Sequence, residues 1–138
     1  MKILILVISL FLVIQCQSNL KNAKGHMVKI VLDTEEPLPD QDTIYITGNV
    51  PIFGEWHTKG LPMVRRAEMR WEKSFDVPDS THLQFKFTLG NMDKEAISNR
   101  GVIPGNSELM ITEDKEVYFV LEDWKHTYVP SALDSMGK

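Results

Sequence analysis

Two spacings of apolar residues divide the chain. Residues 3–14 are apolar throughout except at Ser9. From Met27 onward, apolar and polar positions alternate with period two in short runs closed by turn residues, the pattern of half-buried β-strands. Val28, Ile30 and Leu32 share one face of the first run, which ends at the Pro37-Leu38-Pro39-Asp40 loop. Residues 43–48 set Ile44 and Ile46 against Thr43, Tyr45 and Thr47. Trp71, Phe75 and Val77 share a face before a turn at Pro78-Asp79, and residues 83–89 alternate without exception through Leu83, Phe85, Phe87 and Leu89. Runs at 108–112 and 116–121 flank Glu113-Asp114-Lys115 and predict a hairpin with a short loop. No stretch after residue 26 has a helical stripe with start and stop signals. The series predicts an all-β domain, an immunoglobulin-like antiparallel β-sandwich of about seven strands.

The N-terminal apolar run reads as an address. Met1 and Lys2 precede it and Gln15-Cys16-Gln17-Ser18 follows it, the layout of a charged n-region, a short h-region and a processing point. It falls short of the roughly 20 apolar residues that a spanning helix needs. Val13-Ile14-Gln15-Cys16 resembles the lipobox of bacterial lipoproteins, with Gln15 where that pattern has a small residue. The resemblance implies lipidation of Cys16 and an exported protein held in the cell envelope by its lipid anchor alone. Ordinary signal peptidase cleavage after Ser18 is the alternative, and it would release a soluble secreted protein. The expected organisation is a signal peptide at 1–15, a polar tether at 16–26, the sandwich at 27–128 and a flexible tail at 129–138.

Composition narrows the function classes. A chain of 138 residues with 43% hydrophobic and 25% charged side chains is an ordinary single globular domain. Its formal net charge is −4, and loss of Lys2 with the signal leaves 14 basic against 19 acidic side chains, a charge of −5. Nucleic acid and anionic membrane surfaces select for basic patches, so neither is an expected partner. One cysteine permits no disulfide. His26, His57, His82 and His126 are scattered singly without carboxylate company and read as surface histidines, so no metal site is expected. No nucleophile elbow, phosphate-cradling loop or dinucleotide fingerprint occurs, and no cofactor is expected. Asp93 with Glu95, or Glu55 with Glu122, are the carboxylate pairs conceivable for glycoside hydrolysis, but acids in loops are usually solvated. The expectation is a noncatalytic protein.

Residues 44–56, Ile-Tyr-Ile-Thr-Gly-Asn-Val-Pro-Ile-Phe-Gly-Glu-Trp, resemble the opening of the starch-binding domain, carbohydrate-binding module family twenty. The similarity continues in order through Leu61-Pro62-Met63, Trp71, Phe85-Lys86-Phe87, Ser98-Asn99-Arg100 and Trp124, and covers about residues 28–125. Modules at the N-terminus of exported bacterial esterases are similar as well. The resemblance implies a binding fold without catalytic residues. It also implies an α-glucan or related glycan as ligand, with Trp56 as the stacking tryptophan, Lys86 as the sugar-contacting lysine and Asn99 as the contacting asparagine. A glucose ring offers an apolar C–H face to an aromatic ring and hydroxyls to amide or ammonium groups. The sequence departs from the family where a second stacking tryptophan is expected, since residues 90–95 hold no aromatic; Met92 is the soft apolar residue there. The alternative is a noncatalytic envelope sandwich that binds a protein partner, with Trp56, Phe53, Ile52 and Met63 forming an apolar patch.

Overall fold

A computed structural model describes residues 24–97 and 105–129. Ten strands follow in chain order: β1 (Gly25–Thr34), β2 (Tyr45–Gly48), β3 (Leu61–Pro62), β4 (Val64–Ala67), β5 (Arg70–Pro78), β6 (Thr81–Thr88), β7 (Ala96–Ile97), β8 (Ser107–Ile111), β9 (Lys115–Leu121) and β10 (Asp123–Trp124). One sheet has the order β4-β5-β1-β9 and the facing sheet β3-β2-β6-β8, while β7 and β10 form a small ribbon beside them. The expected β-sandwich is thus the observed fold.

The inward faces follow the alternation. β1 contributes Val28, Ile30 and Leu32, β5 contributes Trp71, Phe75 and Val77, and β6 contributes Leu83, Phe85 and Phe87, all buried. Phe53, from a 3-10 turn at Pro51–Phe53, plugs the space between the sheets. Its ring meets Phe75 edge-on at 5.0 Å and Phe85 at 5.7 Å, the T-shaped geometry that aromatic quadrupoles favour.

Residues 108–112 and 116–121 do not pair as the expected hairpin. β8 runs antiparallel to β6 in one sheet, whereas β9 runs parallel to β1 in the other, with Ile30 opposite Val117. The short connection at 112–114 therefore crosses between sheets. Alternation reports which face of a strand is buried and is silent on which strand supplies its hydrogen bonds. Asp114 in this connection accepts a hydrogen bond from the Met27 backbone N–H at 2.9 Å, which ties the crossover to the start of β1.

A second correction concerns His26, which was expected in the tether and at the surface. β1 already begins at Gly25, and His26 is buried. Its Nε2 lies 2.8 Å from Asp79 Oδ1 and its Nδ1 3.6 Å from Asp114 Oδ1, so carboxylates distant in sequence enclose it. His82 also has acidic company, with Nε2 3.3 Å from Glu108 Oε2 on the neighbouring strand. The signal segment, Cys16, Asn99 and the expected tail beyond Val129 lie outside the described residues.

Candidate functional site

Trp56 sits on a loop that the sheet beneath it holds at many points. Gly54, Glu55 and Trp56 adopt successive left-handed conformations, with φ of 73°, 49° and 70°. For the two non-glycine residues this costs on the order of 1–3 kcal/mol each, and it persists only where surrounding bonds over-determine it. Those bonds are present: Trp56 N–H donates to Gly48 O at 2.8 Å, Gly54 N–H to Pro51 O at 2.9 Å and His57 N–H to Gly54 O at 2.9 Å. The His57 ring Nδ1 also makes a close contact with Gly54 O.

Two threonines on the outward face of the sheet complete the anchorage. Thr47 Oγ1 donates to His57 O at 2.7 Å and Thr88 Oγ1 to Thr58 O at 2.8 Å, so the loop covers both hydroxyls and both threonines are fully buried. Gly60 closes the loop where no side chain fits, since a Cβ there would lie 2.3 Å from Ile46 O and 2.4 Å from Phe53 O. Trp56 is left 40% exposed. Such a ring, on a loop of restricted motion, can stack on an apolar ligand face with little further ordering cost.

Lys86 projects from the same sheet. It pairs in register with Thr47, one residue from Gly48, whose carbonyl anchors Trp56. Its Nζ lies 3.3 Å from Glu95 Oε2, and Lys125 Nζ approaches Glu95 Oε1 at 3.6 Å. The Glu95 side chain is only 7% exposed, and two cations flank it. A carboxylate so buried needs such partners. Each ammonium has three donors, so Lys86 holds further N–H groups for ligand hydroxyls while Glu95 fixes its direction. This corrects the view of Glu95 as a solvated loop acid: its carboxylate is buried between two lysines. Among the described residues no group of three or more histidine, cysteine or acidic side chains is arranged to hold a metal ion.

The apolar patch of the alternative reading is smaller than expected. Phe53 and Met63 are buried core residues, and only Ile52 and Trp56 of the four face solvent. Sequence reasoning missed Thr47 and Thr88 and took Glu95 for a solvated acid; the positions of all three arise from contacts with other segments. Asn49 was also missed: its amide donates to His82 O at 2.9 Å and accepts from Gln84 N–H at 2.8 Å, clamping β6 beside the site. Where the second stacking aromatic is lacking, a short 3-10 turn at Met92–Lys94 presents Met92 to solvent.

The family model described as the starch binding domain matches residues 27–118. No curated protein matches the chain. Among solved structures, the chain is similar to the family 15 glycoside hydrolase glucoamylase of Hypocrea jecorina, with a TM-score of 0.59 and 10% identity over 72% of this chain and 17% of that one. It is similar to the gamma-CGTase of alkalophilic Bacillus clarkii, with a TM-score of 0.56 and 24% identity over 72% of this chain and 15% of that one. It is also similar to the family 20 carbohydrate-binding module of the maltotetraose-forming amylase of Pseudomonas saccharophila STB07, with a TM-score of 0.55 and 16% identity, covering 69% of this chain and 99% of that module. At these identities the likeness is one of fold. The chain spans less than a fifth of the two enzymes and nearly the whole of the isolated module.

Proposed function

The chain belongs to the starch-binding domain family, and from that premise we propose that it is a noncatalytic module that binds an α-glucan through Trp56 and Lys86. The observation that carries the reading is the exposed Trp56 on an anchored loop, together with Lys86 on the strand that pairs with the loop's anchoring strand and held by a buried carboxylate. The indole stacks against the C–H face of a glucose ring, and Lys86 donates to its hydroxyls. Asn99, assigned by the family motif, contributes an amide to the same ring. With one tryptophan where the family has two, Met92 supplies a softer second contact, and the affinity is that of a single platform. Affinity electrophoresis of the protein through soluble starch tests the reading. Retardation that disappears in both Trp56→Ala and Lys86→Met supports it, and migration unaffected by starch overturns it.

The location belongs to the same proposal. The apolar run at residues 3–14 and the Gln15-Cys16 junction support export and a lipid anchor on Cys16, which would hold the module at the cell envelope near its polysaccharide. Mass spectrometry of the mature N-terminus separates the two processing routes. A diacylglyceryl mass on Cys16 that Cys16→Ser abolishes is the expected result, and a free N-terminus after Ser18 contradicts the anchor.

A further inference from the structure

The turn from β6 to β7 and the Trp56 loop are held together by one hydroxyl. Thr88 Oγ1 donates to Thr58 O at 2.8 Å and accepts from Gly90 N–H at 3.1 Å, so it bonds to the loop and to the turn at once. The turn is closed by Leu89 N–H donating to Lys94 O at 3.1 Å and by Lys94 N–H donating to Asn91 O at 3.0 Å. Lys59 lies across its start, since a Cβ on Gly90 would meet Lys59 Cε at 3.3 Å and Lys59 Cγ at 3.4 Å. Lys94 stands at its end, within the stretch that lacks the second aromatic. Glu95 follows, with Lys86 at one carboxylate oxygen and Lys125 at the other. Four lysines thus gather on one turn and on the loop bonded to it.

Two of the four are uncommitted. Lys86 and Lys125 share Glu95, whereas among the described residues neither Lys59 nor Lys94 has an anionic partner. On the opposite sheet Lys29, Arg65, Arg66 and Arg70 are all paired with carboxylates. The local charge also runs against that of the domain. Residues 54–60 and 86–95 with Lys125 hold 4 basic and 3 acidic side chains, a net charge of +1. The other described residues hold 7 basic and 15 acidic side chains, a net charge of −8. A neutral glucan offers hydroxyls alone, and a free ammonium gains little from them over any neutral donor. A ligand charged at every unit is repelled by the acidic remainder of the surface, while an isolated anionic group on a neutral chain feels chiefly the charges within a Debye length. We infer that Lys59 and Lys94 form an anion subsite beside the glucan site, and that the ligand is an α-glucan bearing sparse anionic substituents, phosphate monoesters or carboxylates. The inference rests on the α-glucan reading above and narrows its ligand class. Charge then makes up part of the affinity that the missing second ring would have supplied.

The test is calorimetric titration of the full chain with three ligands of one length: maltoheptaose, maltoheptaose carrying a 6-phosphate, and maltoheptaose oxidised at one C6 to the carboxylate. At about 20 mM ionic strength an anionic ligand is expected to bind about three- to tenfold more tightly than the neutral one, and the ratio should fall toward one at about 0.5 M. In Lys59→Gln/Lys94→Gln the ratio should fall toward one at low salt as well. Retention of the wild-type thermal midpoint is the folding control, and the salt dependence of the wild type needs no variant. A gain for the phosphate alone, or for the carboxylate alone, supports the subsite and identifies its anion. Equal affinity for all three ligands overturns the inference and leaves the function reading standing, as does a ratio unchanged in the folded double variant. Binding of inorganic polyphosphate as tight as that of the anionic maltoheptaoses overturns it in favour of unspecific ion attraction. No binding of any maltoheptaose overturns both readings.

Discussion

Gly48 joins the core to the Trp56 loop, and replacing it tests whether that junction is as tight as the geometry requires. A Cβ on Gly48 would stand 2.2 Å from the Gln84 carbonyl oxygen, 2.9 Å from Phe53 Cδ2 and 3.0 Å from Phe85 Cβ. The first of these is backbone and cannot rotate away. That carbonyl also accepts the Asn49 N–H at 3.0 Å, so relieving the clash strains a second bond. Overpacking of a tight site costs about 1–3 kcal/mol, and a weakened backbone hydrogen bond adds about 1. Gly48→Ala is therefore expected to lose about 3 kcal/mol. For a domain near 100 residues this lowers Tm by roughly 12–24 °C. Urea unfolding followed by tryptophan emission gives the same quantity independently. Gly25→Ala is the control, since its Cβ would meet Val77 O at an ordinary 3.6 Å. A Gly48→Ala midpoint within about 3 °C of wild type would refute the reasoning, because it would mean that β2 and β6 can part without penalty.

Other perturbations probe the loop, the lysine and the surface charges. Thr47→Val removes the 2.7 Å bond to His57 O and leaves that carbonyl unpaired; a loss of about 1–2 kcal/mol in urea unfolding and a few-fold weaker glucan binding are expected. Glu95→Gln keeps the shape but not the charge that directs Lys86, and with the lysines partly in water it should destabilise by about 1–3 kcal/mol. Its glucan affinity should fall toward that of Lys86→Met, and wild-type affinity would show that Glu95 does not position the lysine. Hydrogen bonds from Arg70, His26 and Tyr118 hold Asp33, Asp79 and Glu116 respectively below the ordinary carboxylate range. Carboxylates depressed in the folded state stabilise it above their unfolded pKa and lose that contribution as pH falls through the folded value. Tm should accordingly decline on acidification below about pH 4, less steeply in Asp79→Asn, and a Tm that rises between about pH 5 and 3 would contradict this assignment.

The strands that bury one face were legible in the sequence, because β1 and β6 each place three large apolar residues at alternate positions and β5 keeps the same parity with Trp71, Phe75 and Val77, interrupted only at Lys73. Pairing was not legible. Ile111 and Leu121 both point into the core, yet they belong to opposite sheets, and no local signal distinguishes a hairpin from a crossover. The short strands β3 and β4 escaped notice because two and four residues are too few to display a period. Trp56 and Lys86 were proposed through the family motif; Lys86 lies on β6, and Trp56 lies on a loop that Gly48 of the neighbouring strand β2 anchors. What holds them was hidden, because Glu95, Thr47 and Thr88 are polar residues that the pattern assigns to solvent. Their burial arises from segments that fold over them. His26 escaped for the same reason, since Asp79 and Asp114 reach it only through the turns that end β5 and begin β9.

Trp56 is exposed, whereas Trp71 and Trp124 are buried, so an emission change on adding ligand to the folded protein reports on Trp56. Titration with β-cyclodextrin, read by tryptophan fluorescence, therefore tests the central claim most directly. The account predicts a saturable spectral shift in the wild type, and its loss in Trp56→Ala with far-UV circular dichroism and thermal midpoint retained. A wild-type spectrum unchanged at millimolar ligand, or a Trp56→Ala variant that binds β-cyclodextrin calorimetrically as the wild type does, would contradict it.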